Sequence, residues 1–155
     1  MGKKSYPGAD ALVELHEYHL RRFLEQWRRA KKRDLTLPET KDKSYRSLDA
    51  LLLHVMSCAS RYIDWSARAL GIPPPPLPEL PGEEGIEAAA DGVLEEILEA
   101  WRTPMSHLPY GAFDSAAQKA WWGTPYSVDA MLEHAVMHPI RHEWQLRKLS
   151  GTNEE

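Results

Sequence analysis

The chain of 155 residues is short of several things, and each shortage closes a class of function. It has a single cysteine, Cys58, so an internal disulfide is excluded. No apolar run approaches the roughly 20 residues that a membrane-spanning helix needs. The first residues, Met1 to Gly8, have no apolar core behind them, so no signal peptide is expected. A formal net charge of -4 leaves no general attraction to nucleic acid. Glu-x-x-His, the motif that carboxylate-bridged di-iron bundles use in pairs, does not occur. Nor does a local motif for a serine or cysteine nucleophile. These absences fit a soluble, cytoplasmic protein acting on neither nucleic acid nor membrane.

What remains is helical. Hydrophobic residues make up 43% of the chain, enough to bury one sizeable core. From about Ala9 to Lys32, Leu12, Leu15, Tyr18 (or His19), Phe23, Leu24 and Trp27 recur at spacings of three and four, giving one apolar helical face. His16 and His19 read as boundary residues of that helix. The run Arg28 to Arg33 suits the negative end of its dipole and reads as a solvated helix end. A polar connection follows. A second helix begins near Ser44 or Ser47 and runs to about Leu70, with Leu48, Leu51, Leu52, Val55, Ala59, Tyr62, Ile63 and Ser66 facing inward. Gly71 followed by Ile72-Pro73 stops it.

Residues 73–82 are proline-rich and predict an extended crossing from one end of a bundle to the other. A third helix is expected from about Glu84 to Arg102, ended by Thr103-Pro104, with Ile86, Ala90, Val93, Leu94, Ile97, Leu98 and Trp101 inward. Met105 to Tyr126 reads as a long aromatic connection holding a short helix near Ser115 to Ala120. Such a loop is often functional, and it also serves as a lid. The fourth helix is capped by Ser127, with Asp129 in its first turn, and ends before Gly151. Four amphipathic helices without convincing strands predict an all-α four-helix bundle in one domain spanning 1–155.

The fourth helix carries the chemistry. His134, His138 and His142 are spaced four apart, so neighbours in the series share a face one turn apart. Gln145 lies on that face beside His142, and Met131 and Leu149 extend it. Imidazoles in this pattern point to a metal, but a third ligand must come from elsewhere. His54 and Cys58, one turn apart on the second helix, supply the candidates. Geometry alone does not choose between the pairs His134/His138 and His138/His142. Pro139, inside the helix between two of these histidines, removes a donor and predicts a kink.

The pieces Ser47-Leu-Asp-Ala-Leu-Leu-Leu-His54 and His138-Pro-Ile-Arg-His142-Glu-Trp-Gln145 occur in a set order. A histidine early in helix two is followed by a crossing, a long loop and His-x-x-x-His. This resembles the DinB/YfiT-like family of bacterial metal-binding four-helix bundles, over nearly the whole chain in topology. The resemblance implies His54, His138 and His142 as metal ligands, with His134 just outside them. It implies homodimers, which are frequent in the family, and, as in some relatives, a transferase or isomerase that employs a low-molecular-weight thiol. Glu143 departs from the pattern, since the family often has arginine there, and Arg141 is the nearby substitute.

Three neutral imidazoles suit zinc, nickel or another borderline divalent ion. Three protein ligands leave coordination positions open, as in catalytic zinc sites. A metal-dependent transferase or hydrolase acting on a small molecule is therefore expected, with a non-catalytic metal-binding bundle in stress response or metal handling as the alternative. A fourth ligand from His134 or Cys58 would close the site and favour that alternative. Trp65, Trp121, Trp122, Tyr126 and Trp144 are candidates to line an apolar pocket, as well as candidates for packing. Gln145 and His134 join the pocket candidates, Gln145 as a group that orients substrate or a metal-bound water. Asp129 and Glu133 are the available carboxylates for a general base, and neither is marked by a motif.

Overall fold

The computed structural model describes residues 7–105, 108, 111–114 and 116–151. Four long helices make up most of it: α1 Pro7–Lys32, α2 Leu48–Ala69, α3 Glu83–Met105 and α4 Val128–Leu149. A 3-10 turn, Lys43–Tyr45, precedes α2, and a small antiparallel pair, β1 Gln118–Lys119 with β2 Pro125–Tyr126, precedes α4. The all-α four-helix arrangement is therefore as the periodicity indicates. No described helix is long and apolar enough to cross a membrane.

Around the bundle the neighbours run α1, α4, α2, α3 and back to α1. Ion pairs fix the directions. Lys31 meets Asp49 at the start of α2 and Glu87 near the start of α3, so α1 rises and both α2 and α3 descend. Glu17–Arg102, Arg21–Glu95 and Arg28–Asp91 continue the antiparallel α1–α3 seam. Two parallel neighbours need a connection as long as themselves. Residues 71–82, if extended as polyproline, reach about 37 Å. The 22 residues of α2 span about 33 Å at helical rise. The crossing therefore has the length to return the chain to the end where α3 starts.

The caps are those the sequence offers. Ser47 Oγ accepts from Ala50 N at 2.9 Å, and Ser127 Oγ from Ala130 N at 3.4 Å. Gly71 takes φ +70° after α2, and Ile72 N donates back to Ala67 O at 3.0 Å, a closure that favours glycine. Two buried tryptophans join the layers. Trp27 Nε1 donates to Leu48 O at 2.6 Å, and Trp101 Nε1 donates to Ala59 O at 3.0 Å.

Every residue expected to face inward on α2 and α3 is buried. Three expectations need correction. On α1, Leu15 and Tyr18 are 45% and 56% exposed, and the buried line runs through Ala9, His16, Leu20, Phe23, Leu24, Trp27 and Ala30. His16 is thus a core residue, stacked on Trp101 with ring centroids 3.7 Å apart. At the end of α3 the helix passes through Pro104 to Met105. Thr103 Oγ1 caps the Glu99 carbonyl at 3.0 Å there. The helix expected near Ser115–Ala120 is replaced by the β1–β2 hairpin, where Ala120 N donates to Thr124 O at 2.9 Å and Gly123 turns at φ +91°. Ser115 itself lies outside the described residues. Helix α4 runs through Pro139, which is buried. Packing against α1 and α2 outweighs the roughly 3 kcal/mol that an interior proline costs.

Candidate metal centre

The groove between α2 and α4 brings three histidines together. His54 sits near the start of descending α2, and His138 and His142 sit one turn apart on rising α4. His138 Nε2 lies 3.1 Å from His54 Nε2 and 3.3 Å from His142 Nε2. One ligand atom from each of the three falls within 4.8 Å of the others. His138 and His142 are buried, and His54 is half-buried at the mouth of the groove.

This convergence is unfavourable without a cation. A neutral imidazole nitrogen either donates one proton or accepts through one lone pair. His138 Nε2 faces two other Nε2 atoms and can satisfy only one of them. Protonation is no remedy. Burial first, then the neighbouring histidines and Arg141, push His138 down to about 2. Burial and Arg141 push His142 down to about 4, and burial also lowers His54. All three rings are therefore neutral near pH 7, with lone pairs available. The spacing fits an ion as well. With metal–nitrogen bonds of about 2.05 Å, separations of 3.1 and 3.3 Å correspond to angles of about 98° and 107° at the metal.

The outer ring nitrogens are held unequally. His142 Nδ1 is 2.9 Å from Gln145 Oε1 and 2.8 Å from Tyr45 Oη, and Tyr45 Oη also donates to Gln145 Oε1. An amide oxygen accepting from Nδ1–H leaves the Nε2 lone pair aimed at the cluster. Gln145 thus holds the His142 ring from behind. Cys58 Sγ lies 3.8 Å from His54 Nδ1 and 3.9 Å from its Nε2. His138 Nδ1 is buried without a hydrogen-bond partner. Tyr45, on the 3-10 turn, carries no sequence signal of its own. Its three-residue turn is set by Asp42, whose carboxylate accepts from Ser44 N at 3.0 Å.

His134 stands apart from the cluster. It stacks on Trp122 with centroids 5.2 Å apart and meets the edges of Tyr62 and Tyr126. Geometry now separates the two histidine pairs that spacing alone left open: His138/His142 joins His54. Cys58 lies beside His54 and is not among the converging ligands, and its thiol is pushed up by burial. Among the described residues no fourth histidine, cysteine or carboxylate joins the three.

Aromatic residues of the hairpin cover one end of the groove. Trp121 packs on Tyr62 at 5.3 Å and carries the Arg61 guanidinium 4.4 Å from its ring. Trp121 and Trp122 remain 38% and 39% exposed. Tyr62 joins this cluster to the three histidines, its ring 5.7 Å from that of His138. Trp65 serves the hairpin from α2, donating from Nε1 to Lys119 O at 3.0 Å. Trp144, 54% exposed, lies against Arg147 and outside the aromatic cluster. At the opposite end of the groove a cavity of about 430 Å³ is lined by Pro38, Asp42, Tyr45, Gln145 and Lys148, among others.

Glu143 does not face the site. It is 2% exposed and pairs with Arg147 at 2.8 Å and Arg22 at 3.3 Å, tying α4 to α1. Asp129 and Glu133 are exposed.

Comparison with known proteins adds no relative: no family model, no curated protein and no solved structure matches the chain.

Proposed function

We propose that the chain is a divalent-metal-binding bundle of the DinB/YfiT type, acting as a metal-dependent enzyme on a small molecule. The observation that carries this reading is the meeting of three neutral Nε2 atoms from two helices, which leaves His138 Nε2 frustrated unless a cation is present. Zinc or nickel suits an all-imidazole donor set. An ion with open positions supplies Lewis acidity and lowers the pKa of a water or thiol that it binds.

The chain's own residues supply the rest. His54, His138 and His142 hold the ion, and Gln145 with Tyr45 orients His142. The Tyr62–Trp122–Tyr126–His134 cluster flanks one side and offers an aromatic surface. The reaction class proposed is transfer of a low-molecular-weight thiol to an electrophile, or hydrolysis. That class rests on the motif resemblance, and the open ligand set supports it over a non-catalytic metal store, which needs a closed shell.

Metal content by inductively coupled plasma mass spectrometry tests the reading, on tag-free protein never exposed to chelator. About one equivalent in wild type, lost in both His54→Ala and His138→Ala, is expected for a site built from three ligands on two helices. A wild-type protein that is metal-free and refuses zinc and nickel would refute it. A screen of thiol transfer onto electrophiles then tests the reaction.

A further inference from the structure

We propose that Arg141 recognises a carboxylate on the substrate and holds it beside the three-histidine cluster. The placement beside a metal rests on the metal reading above; the recognition itself rests on Arg141.

Arg141 precedes His142 on α4, is exposed, and places Nη2 3.5 Å from His142 Nε2, the atom that turns toward the other two ligands. Its charge bears on both ends of the groove, on Tyr45 at one and on Tyr62 and His134 at the other. The other arginines near α4 are committed: Arg22 and Arg147 share Glu143. Arg61 lies over the Trp121 ring. Among the described residues Arg141 pairs with no carboxylate. The carboxylate that acts on His54 and His142 is Asp42, already bonded to Ser44 N and Oγ.

Beside a neutral imidazole and with no carboxylate partner among the described residues, this guanidinium lacks a protein counter-ion, and a divalent ion in the cluster would bring the local charge to about three positive. An anion resolves that excess. The planar fork of arginine matches the two oxygens of a carboxylate. A phosphate site would call for further cations or a helix N-terminus aimed at the same point. The exposed rings of Trp121 and Trp122, joined to the groove through Tyr62, can take the rest of the molecule. The substrate class is therefore a small carboxylate with an apolar or aromatic body.

The test is calorimetric titration of benzoate into zinc-loaded protein, with benzamide as the uncharged isostere. Wild type should bind benzoate saturably and benzamide at least about ten-fold more weakly, in keeping with a charge-assisted contact. Arg141→Gln should lose at least about ten-fold in benzoate affinity while keeping its zinc, read by mass spectrometry on the same sample, and its thermal melt. Arg141→Lys, which keeps the charge and loses the fork, should fall between. Equal benzoate affinity in wild type and Arg141→Gln overturns the proposal, as does equal binding of benzoate and benzamide. If wild type takes no zinc, the metal reading fails on its own. The same titrations on the metal-free proteins then decide for Arg141, and absence of benzoate binding there overturns it.

Discussion

His138 Nε2 lies 3.1 Å from His54 Nε2, a contact between residues 84 positions apart in the chain. It joins the middle of α4 to the first half of α2. His142 completes the cluster one turn further along α4. Its geometry depends on the groups that hold each ring, and those groups can be removed singly.

Tyr45 and Gln145 fix the His142 ring from behind. Tyr45→Phe removes one polar partner of Nδ1, and Gln145→Leu removes the amide acceptor. Loss of such outer partners typically costs 10–100-fold in metal affinity, so a fall of about ten-fold is expected for each. Competition with a chromophoric chelator measures it. Affinity unchanged in both variants would mean that the ring is oriented by packing alone.

Cys58 should be dispensable for metal. Its sulfur sits 3.8 Å from His54 Nδ1 and 3.9 Å from Nε2 but does not converge with the other two histidines, and burial keeps the thiol protonated. Cys58→Ser is expected to retain about one zinc equivalent. A variant that loses its metal would show that the thiol completes the shell, and would favour a closed, storage-type site.

His16 makes the fold acid-sensitive. It is fully buried, both ring nitrogens lack partners, and burial lowers it to about 3 from an ordinary 6.5. The unfolded chain therefore takes up a proton near pH 6.5 that the folded chain refuses until about pH 3. Stability is intact above pH 6.5 and falls as the pH drops through this window, by up to an order of 5 kcal/mol. His16→Phe keeps the stack on Trp101 and removes both orphaned nitrogens. It should raise stability at pH 7 by about 1–3 kcal/mol and flatten the acid limb of urea midpoints. Metal-free His138 and His142 leave a residual slope common to both proteins. Identical slopes in the two proteins would dismiss His16 as the cause.

Trp65 pins the hairpin through Nε1 and Lys119 O. Trp65→Phe should weaken that closure by about 1 kcal/mol, or roughly five-fold in opening. Hydrogen exchange at Ala120, whose amide closes the hairpin onto Thr124 O, reports it. Unaltered exchange would place the hairpin's stability in the Trp121–Tyr62 contact instead.

The parts of this fold that rest on one helix at a time were legible in the sequence. The inward residues of α2 and α3 follow from periodicity, and Ser47, Ser127, Gly71 and Gly151 mark helix ends by their own chemistry. On α1 the same method misassigned Leu15 and Tyr18, because it treated His16 as polar and moved the stripe around the helix. A histidine that stacks on a tryptophan 85 positions away counts as apolar, and only the partner reveals it.

The site divides the same way. The spacing of His138 and His142 is a local property, but their choice over His134 depended on where α2 delivers His54. Tyr45 was invisible, since its role comes from a three-residue turn packed against α4. Glu143 read as a departure beside the site, whereas it faces α1 and pairs with Arg22. The hairpin was missed because each strand has only two residues and is held by Trp65 and by the Ala120–Thr124 closure.

The most direct test of an open three-histidine centre is the X-ray absorption fine structure of zinc-loaded protein. An open site gives three imidazole nitrogens at about 2.0 Å, one or more light-atom scatterers from solvent, and no sulfur. Two imidazoles after His54→Ala would tie the third to α2. A sulfur shell near 2.3 Å, a fourth imidazole, or the same spectrum in wild type and His54→Ala would contradict it.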